Sequence, residues 1–157
     1  MINSGWRGRF YEDLNPGDVY KHWPGRSITE TDNIWFTLLT CNMNPIHFDS
    51  EYAKKTEFGK LVVDSTLTLA IITGLSVSDI SMNAVNLEWD KVVLSNPVFA
   101  GDTLYAETEI LSKRESKSRL GSGIVSIRTR GLNQDGKEVI RFERTIMVYK
   151  RGSSPSA

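Results

Sequence analysis

The sequence predicts an α+β fold in which an antiparallel sheet of about five long strands wraps around one central helix. Three observations carry that expectation. The first half of the chain reads as helices and turns, whereas from Ala84 onward it becomes extended runs punctuated by turns. The longest apolar stretch, Leu67 to Leu75, belongs to a segment that is apolar nearly all round, which in a globular chain marks a helix buried on most sides. The last extended run alternates: Val139, Arg141, Glu143, Thr145 and Met147 share one face, and Ile140, Phe142, Arg144, Ile146 and Val148 the other.

The elements follow in order. "NPGDVY" is turn chemistry leading to a short extended piece around Val19 to Trp23, which Pro24–Gly25 ends. In "SITETDNIWFTLL" Thr29 is an N-cap, Glu30 and Asp32 sit in the first turn, and Ile34, Trp35, Leu38 and Leu39 recur at helical spacing. Asn44–Pro45 stops that helix, because a residue before proline disfavours the α region. "SEYAKKT" makes a short helix, and Asp64 or Ser65 caps the central one. Gly74 inside it costs about 1 kcal/mol relative to alanine, so a close backbone approach is expected there. Four extended runs then follow: "AVNLEWDKVVL", "DTLYAETEILSKRES", "GIVSIRTRGL" and "KEVIRFERTIMVYK". "NQDGK" joins the last two as a hairpin, with Gly136 at positive φ.

With 157 residues, the chain suits one domain over residues 1–150 and a disordered tail over 151–157. Lysine plus arginine and aspartate plus glutamate balance at 19 each, so no global field favours nucleic acid or an anionic membrane. One cysteine, Cys41, excludes an internal disulfide and fits a reducing cytoplasm. "MINSGWRGRFYEDL" has no apolar core of the signal-peptide kind, and nine residues of apolar run fall short of a membrane span. Two histidines and one cysteine at unrelated spacings make no metal site, and the glycines make neither a phosphate-binding loop nor a nucleophile elbow.

The candidate chemistry lies in "TCNMNPIHFD", Thr40 to Asp49. Proline fixes the backbone two residues before His47, asparagines flank it, and an imidazole is suited to moving a proton at neutral pH. A loop-closing histidine is the plainer alternative. His22, between Lys21 and Trp23, reads as an ordinary surface histidine. Asp64-Ser65-Thr66 is a helix start whose free N–H groups can polarise a carbonyl, beside the simpler role of N-capping. Lys113, Arg114, Lys117 and Arg119 form a basic run that is either a solvated face or a phosphate contact.

Together these pieces resemble the MaoC-like hydratase/dehydratase family, the (R)-specific enoyl-CoA hydratases of hotdog fold. That family's motif, approximately D-x-N-P-[IVL]-H-x-D, stands here within "NMNPIHFDSEYAKKTEFGKLVVDSTLTL"; "NPVFAGDTLYAETEI" and "GLNQDGKEV" match later segments. The resemblance covers roughly residues 10 to 150. It implies a homodimer or higher homo-oligomer, an acyl-CoA in a tunnel at the interface, and no cofactor beyond the coenzyme A of the substrate. Its catalytic histidine falls on His47 and its oxyanion glycine on Ser65. Asn44, Phe58 and Gly59 lie in the motif as substrate-binding positions, and Lys117 and Arg119 are the candidates for CoA phosphate. The family aspartate falls on Asn42, an amide that cannot exchange a proton at neutral pH. Two accounts follow: Asn42 orients water while His47 moves protons, with Asp64 as a possible substitute carrier, or the chemistry is gone. The mesaconyl-CoA hydratase type resembles the chain most, which implies hydration of a short branched or dicarboxylic 2-enoyl-CoA. A hotdog thioesterase using Asp64 or Asp49, and a non-catalytic acyl-CoA-binding subunit, stand as alternatives.

Overall fold

The computed structural model describes residues 5–155. Two short strands, β1 (Val19–Lys21) and β2 (Arg26–Ser27), precede helices α1 (Glu30–Thr40), α2 (Ser50–Ala53) and α3 (Ser65–Leu75). Four long strands follow: β3 (Ala84–Leu94), β4 (Thr103–Glu115), β5 (Ser122–Leu132) and β6 (Glu138–Tyr149). They form one antiparallel sheet in the order β1-β4-β5-β6-β3, with β2 also against β4. The expected sheet is there with four long strands, completed by two short ones. The β5–β6 hairpin turns where expected, with Gly136 at φ 74°.

α3 packs on β4 and β5. Leu67 and Ile72 meet Leu104, Ala106, Ile140 and Phe142 in one core cluster, and Ile80 meets Tyr11, Leu14, Ile110, Val125 and Ile127 in a second. The sidedness of α3 departs from expectation. Only Leu67, Thr68 and Ile72 are buried, while Thr66, Ala70 and Gly74 share an exposed face. The close approach expected at Gly74 is absent; a Cβ there meets nothing within 4 Å. The tight spot lies across the helix, at Gly131 of β5, where a Cβ would stand 2.7 Å from Ile72 and Ile140 side-chain atoms.

α1 begins as its sequence dictates. Thr29 Oγ1 accepts the Asp32 N–H at 3.1 Å and Asp32 Oδ2 accepts the Thr29 N–H at 2.8 Å, a reciprocal cap. It ends earlier than Pro45 requires, at Cys41 in the left-handed region (φ 55°). Pro45 instead opens a 3-10 turn, Pro45–His47, capped by Asn44 Oδ1 on the Ile46 N–H. The apolar stripe of α1 faces outward: Trp35, Leu38 and Leu39 are 64%, 73% and 78% exposed. Its two fully buried residues are polar, Asn33 and Thr37, and Phe36 packs beside them against the core. β3, an edge strand, likewise exposes Val85, Leu87 and Trp89. Of the tail expected to be disordered, Arg151 pairs with Asp13 and Ser154 is buried beside Asn83; residues 156 and 157 lie outside the described range.

Asn33 ties this half of the molecule together. Its Nδ2 donates to His47 O at 2.9 Å and Val62 O at 3.1 Å, and its Oδ1 accepts the Asp64 N–H at 2.8 Å. One buried amide thus holds α1, the His47 turn and the start of α3 in fixed relation.

Two stability changes follow. Gly131→Ala forces Ile72 against its neighbours and is expected to cost about 1–3 kcal/mol in urea unfolding. Asn33→Ala strands the Asp64 N–H and the His47 carbonyl, while Val62 O keeps the His47 ring, and is expected to cost roughly 3 kcal/mol on the same measure.

Candidate active site

The site is built at the amino end of α3, where the loop after α1 crosses it. Asn44 caps the turn, Pro45 fixes its first residue, and His47 ends it half-buried. His47 Nδ1 lies 2.8 Å from Val62 O. A carbonyl accepts only, so Nδ1 carries the proton and donates, and Nε2 is the ring's acceptor. No described residue bonds Nε2. The ring is therefore locked in one tautomer with its basic nitrogen available.

Asp64, 2% exposed, caps α3. Its Oδ1 accepts the Thr66 N–H at 2.7 Å and the Thr66 hydroxyl at 2.5 Å, and its Oδ2 accepts Asn42 Nδ2 at 2.5 Å. Burial alone would raise its pKa, but hydrogen bonds from the Thr66 hydroxyl, the Asn42 amide and the Thr66 N–H, with the charge of His47, hold it below the ordinary carboxylate value. The same amide of Asn42 accepts the Asn44 N–H on its Oδ1 at 3.0 Å. Beyond Asp64, the Ser65 N–H has no acceptor among the described residues and Ser65 is exposed. It stands in the helix's first turn, where the macrodipole favours a partial negative charge.

A cavity of about 240 Å³ lies beside this helix start, between Phe58, Val62 and Ser65 on one side and Leu94, Asn96 and Val98 on the other. His47 does not line it, but its hydrogen-bond partner Val62 does. A second hollow of about 480 Å³ touches Asn42 and runs along Leu38, Met43 and Phe48. Gly59, at φ 67°, forms part of a third, of about 180 Å³, with Lys60 and Phe99. Of the residues singled out in the sequence, Asp64 and Ser65 open α3, Asn42 bonds Asp64, and His47 and Asn44 lie in the adjoining turn. Phe58 lines the cavity with Ser65, whereas Gly59 lies in the separate third hollow. Lys117 and Arg119 are not brought to the helix start. They sit in the β4–β5 turn, while Val63, Val98 and Leu104 mark the opposite end of β4. Thirteen residues of strand at about 3.3 Å each put roughly 40 Å between the two ends.

His22 is not the surface residue it was expected to be. Only 5% exposed, it places Nδ1 2.9 Å from Asp79 Oδ2 and Nε2 2.8 Å from the Thr108 hydroxyl. Burial lowers its pKa, against the pull of Asp79. The connectivity matches an acid–imidazole–hydroxyl relay, but Thr108 is wholly buried, so no substrate reaches it. Arg144, also inward, donates to the Ser76 hydroxyl at 2.8 Å, and burial pulls its pKa to about 10. Both belong to the carboxyl end of α3, away from the site. Asn33, which sequence reasoning missed, left one signal: an amide four residues before Thr37 on a helix face opposite the apolar stripe.

Comparison with known proteins bears on this geometry. The description "MaoC like domain" matches residues 13–130. The mesaconyl-CoA hydratase of Cereibacter sphaeroides is 34% identical over 96% of this chain and 44% of its own length. A solved structure, the putative MaoC domain protein dehydratase from Chloroflexus aurantiacus, superposes with a TM-score of 0.90 at 29% identity, covering 99% of this chain and 45% of that one. A Mycobacterium tuberculosis protein with a double hotdog fold, 21% identical, matches with a TM-score of 0.84 over 92% of this chain and 45% of its own, which shows the fold. The chain spans less than half the length of the first curated relatives it matches. A hotdog sheet over a central helix, a family match over most of its length and a relative more than 30% identical agree, and the chain belongs to the MaoC-like domain family.

Proposed function

We propose that this protein is a hydro-lyase that reversibly hydrates a 2-enoyl-CoA thioester. The observation that carries the reading is the locked tautomer of His47, whose Nδ1 is held by Val62 O, three residues before the unclaimed Ser65 N–H, with Nε2 left unbonded. Hydration needs those two groups. As water oxygen bonds C3, Nε2 takes its proton, and the π electrons move onto the thioester oxygen, which the Ser65 N–H receives. The imidazolium then delivers the proton to C2, restoring the thioester carbonyl and the free imidazole. The N–H contact strengthens as the enolate forms, which is where stabilisation raises rate. Asn42 spends one N–H on Asp64 and keeps the other for orienting the water. Lines of support for a short branched or dicarboxylic acyl group are the similarity to a mesaconyl-CoA hydratase and the small cavity beside Ser65.

The reading includes a homodimer. The outward apolar stripe of α1, the bare face of α3 at Thr66, Ala70 and Gly74, and the apolar edge of β3 are all unpaired within one copy. Relatives of about twice the length, one of them with a doubled hotdog, have a second unit to cover such surfaces. A second copy of residues 1–150 takes that place here, and the lone exposed Cys41 suits a cytoplasmic location.

Crotonyl-, mesaconyl- and longer enoyl-CoAs, assayed by loss of the enoyl absorbance and by free thiol, test the activity. The enoyl signal is expected to fall with no thiol released. His47→Ala is expected to lower kcat by about 10²–10⁴-fold; turnover within a few-fold of wild type excludes His47 as the proton carrier. Released thiol would indicate a thioesterase instead. Analytical ultracentrifugation is expected to give a dimer that Leu87→Lys combined with Trp89→Lys converts to monomer.

A further inference from the structure

The contact between Asn42 and Asp64 decides what position 42 can be. Asn42 is oriented without ambiguity, because its Oδ1 accepts a backbone N–H from Asn44 and its Nδ2 must face the carboxylate. Asp64 has both oxygens engaged and is closed to bulk solvent. The groups that reach it are few. From α1 come the neutral Asn33 and, just beyond the helix, Asn42; from α3 comes the neutral Thr66; from the Pro45–His47 turn comes His47, the titratable group that acts on it.

Resting on the hydration reading of the same site, we infer that Asp64 is the site's working carboxylate: a positioning residue whose charge stabilises the His47 imidazolium between the two proton transfers, and which requires a hydrogen-bond donor, not an acid, at position 42. Asp64 itself neither gains nor loses a proton. Water's proton goes to Nε2 and from there to C2, while the carboxylate keeps its Thr66 and Asn42 bonds throughout. The requirement at position 42 is electrostatic. Two carboxylates 2.5 Å apart cannot both ionise, so an aspartate at 42 would have to hold a proton to remain there.

The test is a set of three variants, N42D, D64N and the exchange N42D/D64N, read by kcat/KM against pH with an enoyl-CoA and by urea unfolding against pH. In wild type, Asp64 is held below its ordinary value, so its contribution to stability is present at neutral pH and is lost as pH falls through the folded value. N42D reverses the sign. Its shared proton is held above the ordinary carboxylate range, so stability is present in acid and is lost as pH rises. At pH 7 its activity is expected to fall by about 10-fold or more. D64N is expected to lower kcat/KM on the order of 10²-fold and to move the acid limb of the profile to lower pH, because the imidazolium loses its counter-charge. The exchange variant is expected to regain the neutral-pH stability that N42D loses and at least tenfold of the activity of the weaker single variant.

D64N with wild-type kcat/KM and an unmoved acid limb overturns the inference while leaving the hydratase reading intact. N42D with wild-type stability across pH overturns the pairing without reference to activity. Wild type that turns over none of the enoyl-CoAs overturns the hydratase reading and the role of Asp64 with it, and the unfolding arm then still decides whether positions 42 and 64 are paired.

Discussion

The site depends on one buried amide. Asn33 donates to two carbonyls and accepts one N–H, so its three bonds fix its orientation and use both of its donors. The carbonyls belong to His47 and Val62 and the N–H to Asp64. Val62 O accepts from both Asn33 and the imidazole, so the helix, the turn and the ring share a single atom as reference. A loop carrying a proton carrier is ordinarily among the more mobile parts of a fold. Here it is fastened to a core helix and to the start of α3, and its histidine has one tautomer and one direction.

Polarity is inverted around that clasp. α1 turns Asn33 and Thr37 inward and Trp35, Leu38 and Leu39 outward. α3 buries one side against the sheet and leaves its small residues bare, and β3 exposes aliphatic and aromatic side chains along an unpaired edge. These three surfaces follow one logic. Gly131 lets α3 lie close on β5, and apolar surface is left on the outside, where the proposed second copy would cover it. The exposed Ser65 N–H fits the same proposed arrangement, since a donor to a developing oxyanion is most effective once water is excluded.

Sequence patterns made most of this fold legible because its strands are local statements. The alternation from Val139 to Val148 assigned the inner face of β6 with Phe142 and Ile146 on it, and Gly136 assigned the hairpin. The proline-fixed loop around His47 and a helix start at Asp64 or Ser65 were readable for the same reason, though not the turn that Pro45 opens: proline and a helix-start aspartate have local consequences. What was not readable was long-range. Nothing within a few residues of His22 says that Asp79 and Thr108 will close around it, because those partners are 57 and 86 positions away. Gly74 looked like a contact point because a helix glycine needs a reason, yet within one copy the reason lies across the sheet at Gly131. Lys117 and Arg119 form a basic pair in sequence, but strand length carries their turn away from the site.

In the proposed hydration, the charge balance of the site explains how a carboxylate and an N–H that would receive the oxyanion can be neighbours on one helix. A negative group at the helix start opposes the formation of a second one, the thioester enolate, a residue away. The opposition is small here because Asp64 directs its charge into the first turn through Thr66 and toward the loop through Asn42, and neither bond uses the Ser65 N–H. With the imidazole in the base form that the proposed reaction starts from, the site carries one negative charge, on Asp64. When Nε2 holds the water's proton and the thioester oxygen holds the electron pair, one positive charge stands with two negative ones, and the total is unchanged. The proposed hydration therefore rearranges charge without creating any, and its imidazolium stands between the standing Asp64 carboxylate and the enolate formed on the substrate. Low local dielectric favours such a paired arrangement and penalises an unpaired one. That is the physical reason for an aspartate held below its ordinary pKa, an amide beside it and a tautomer-locked histidine to occupy the same few ångströms of chain.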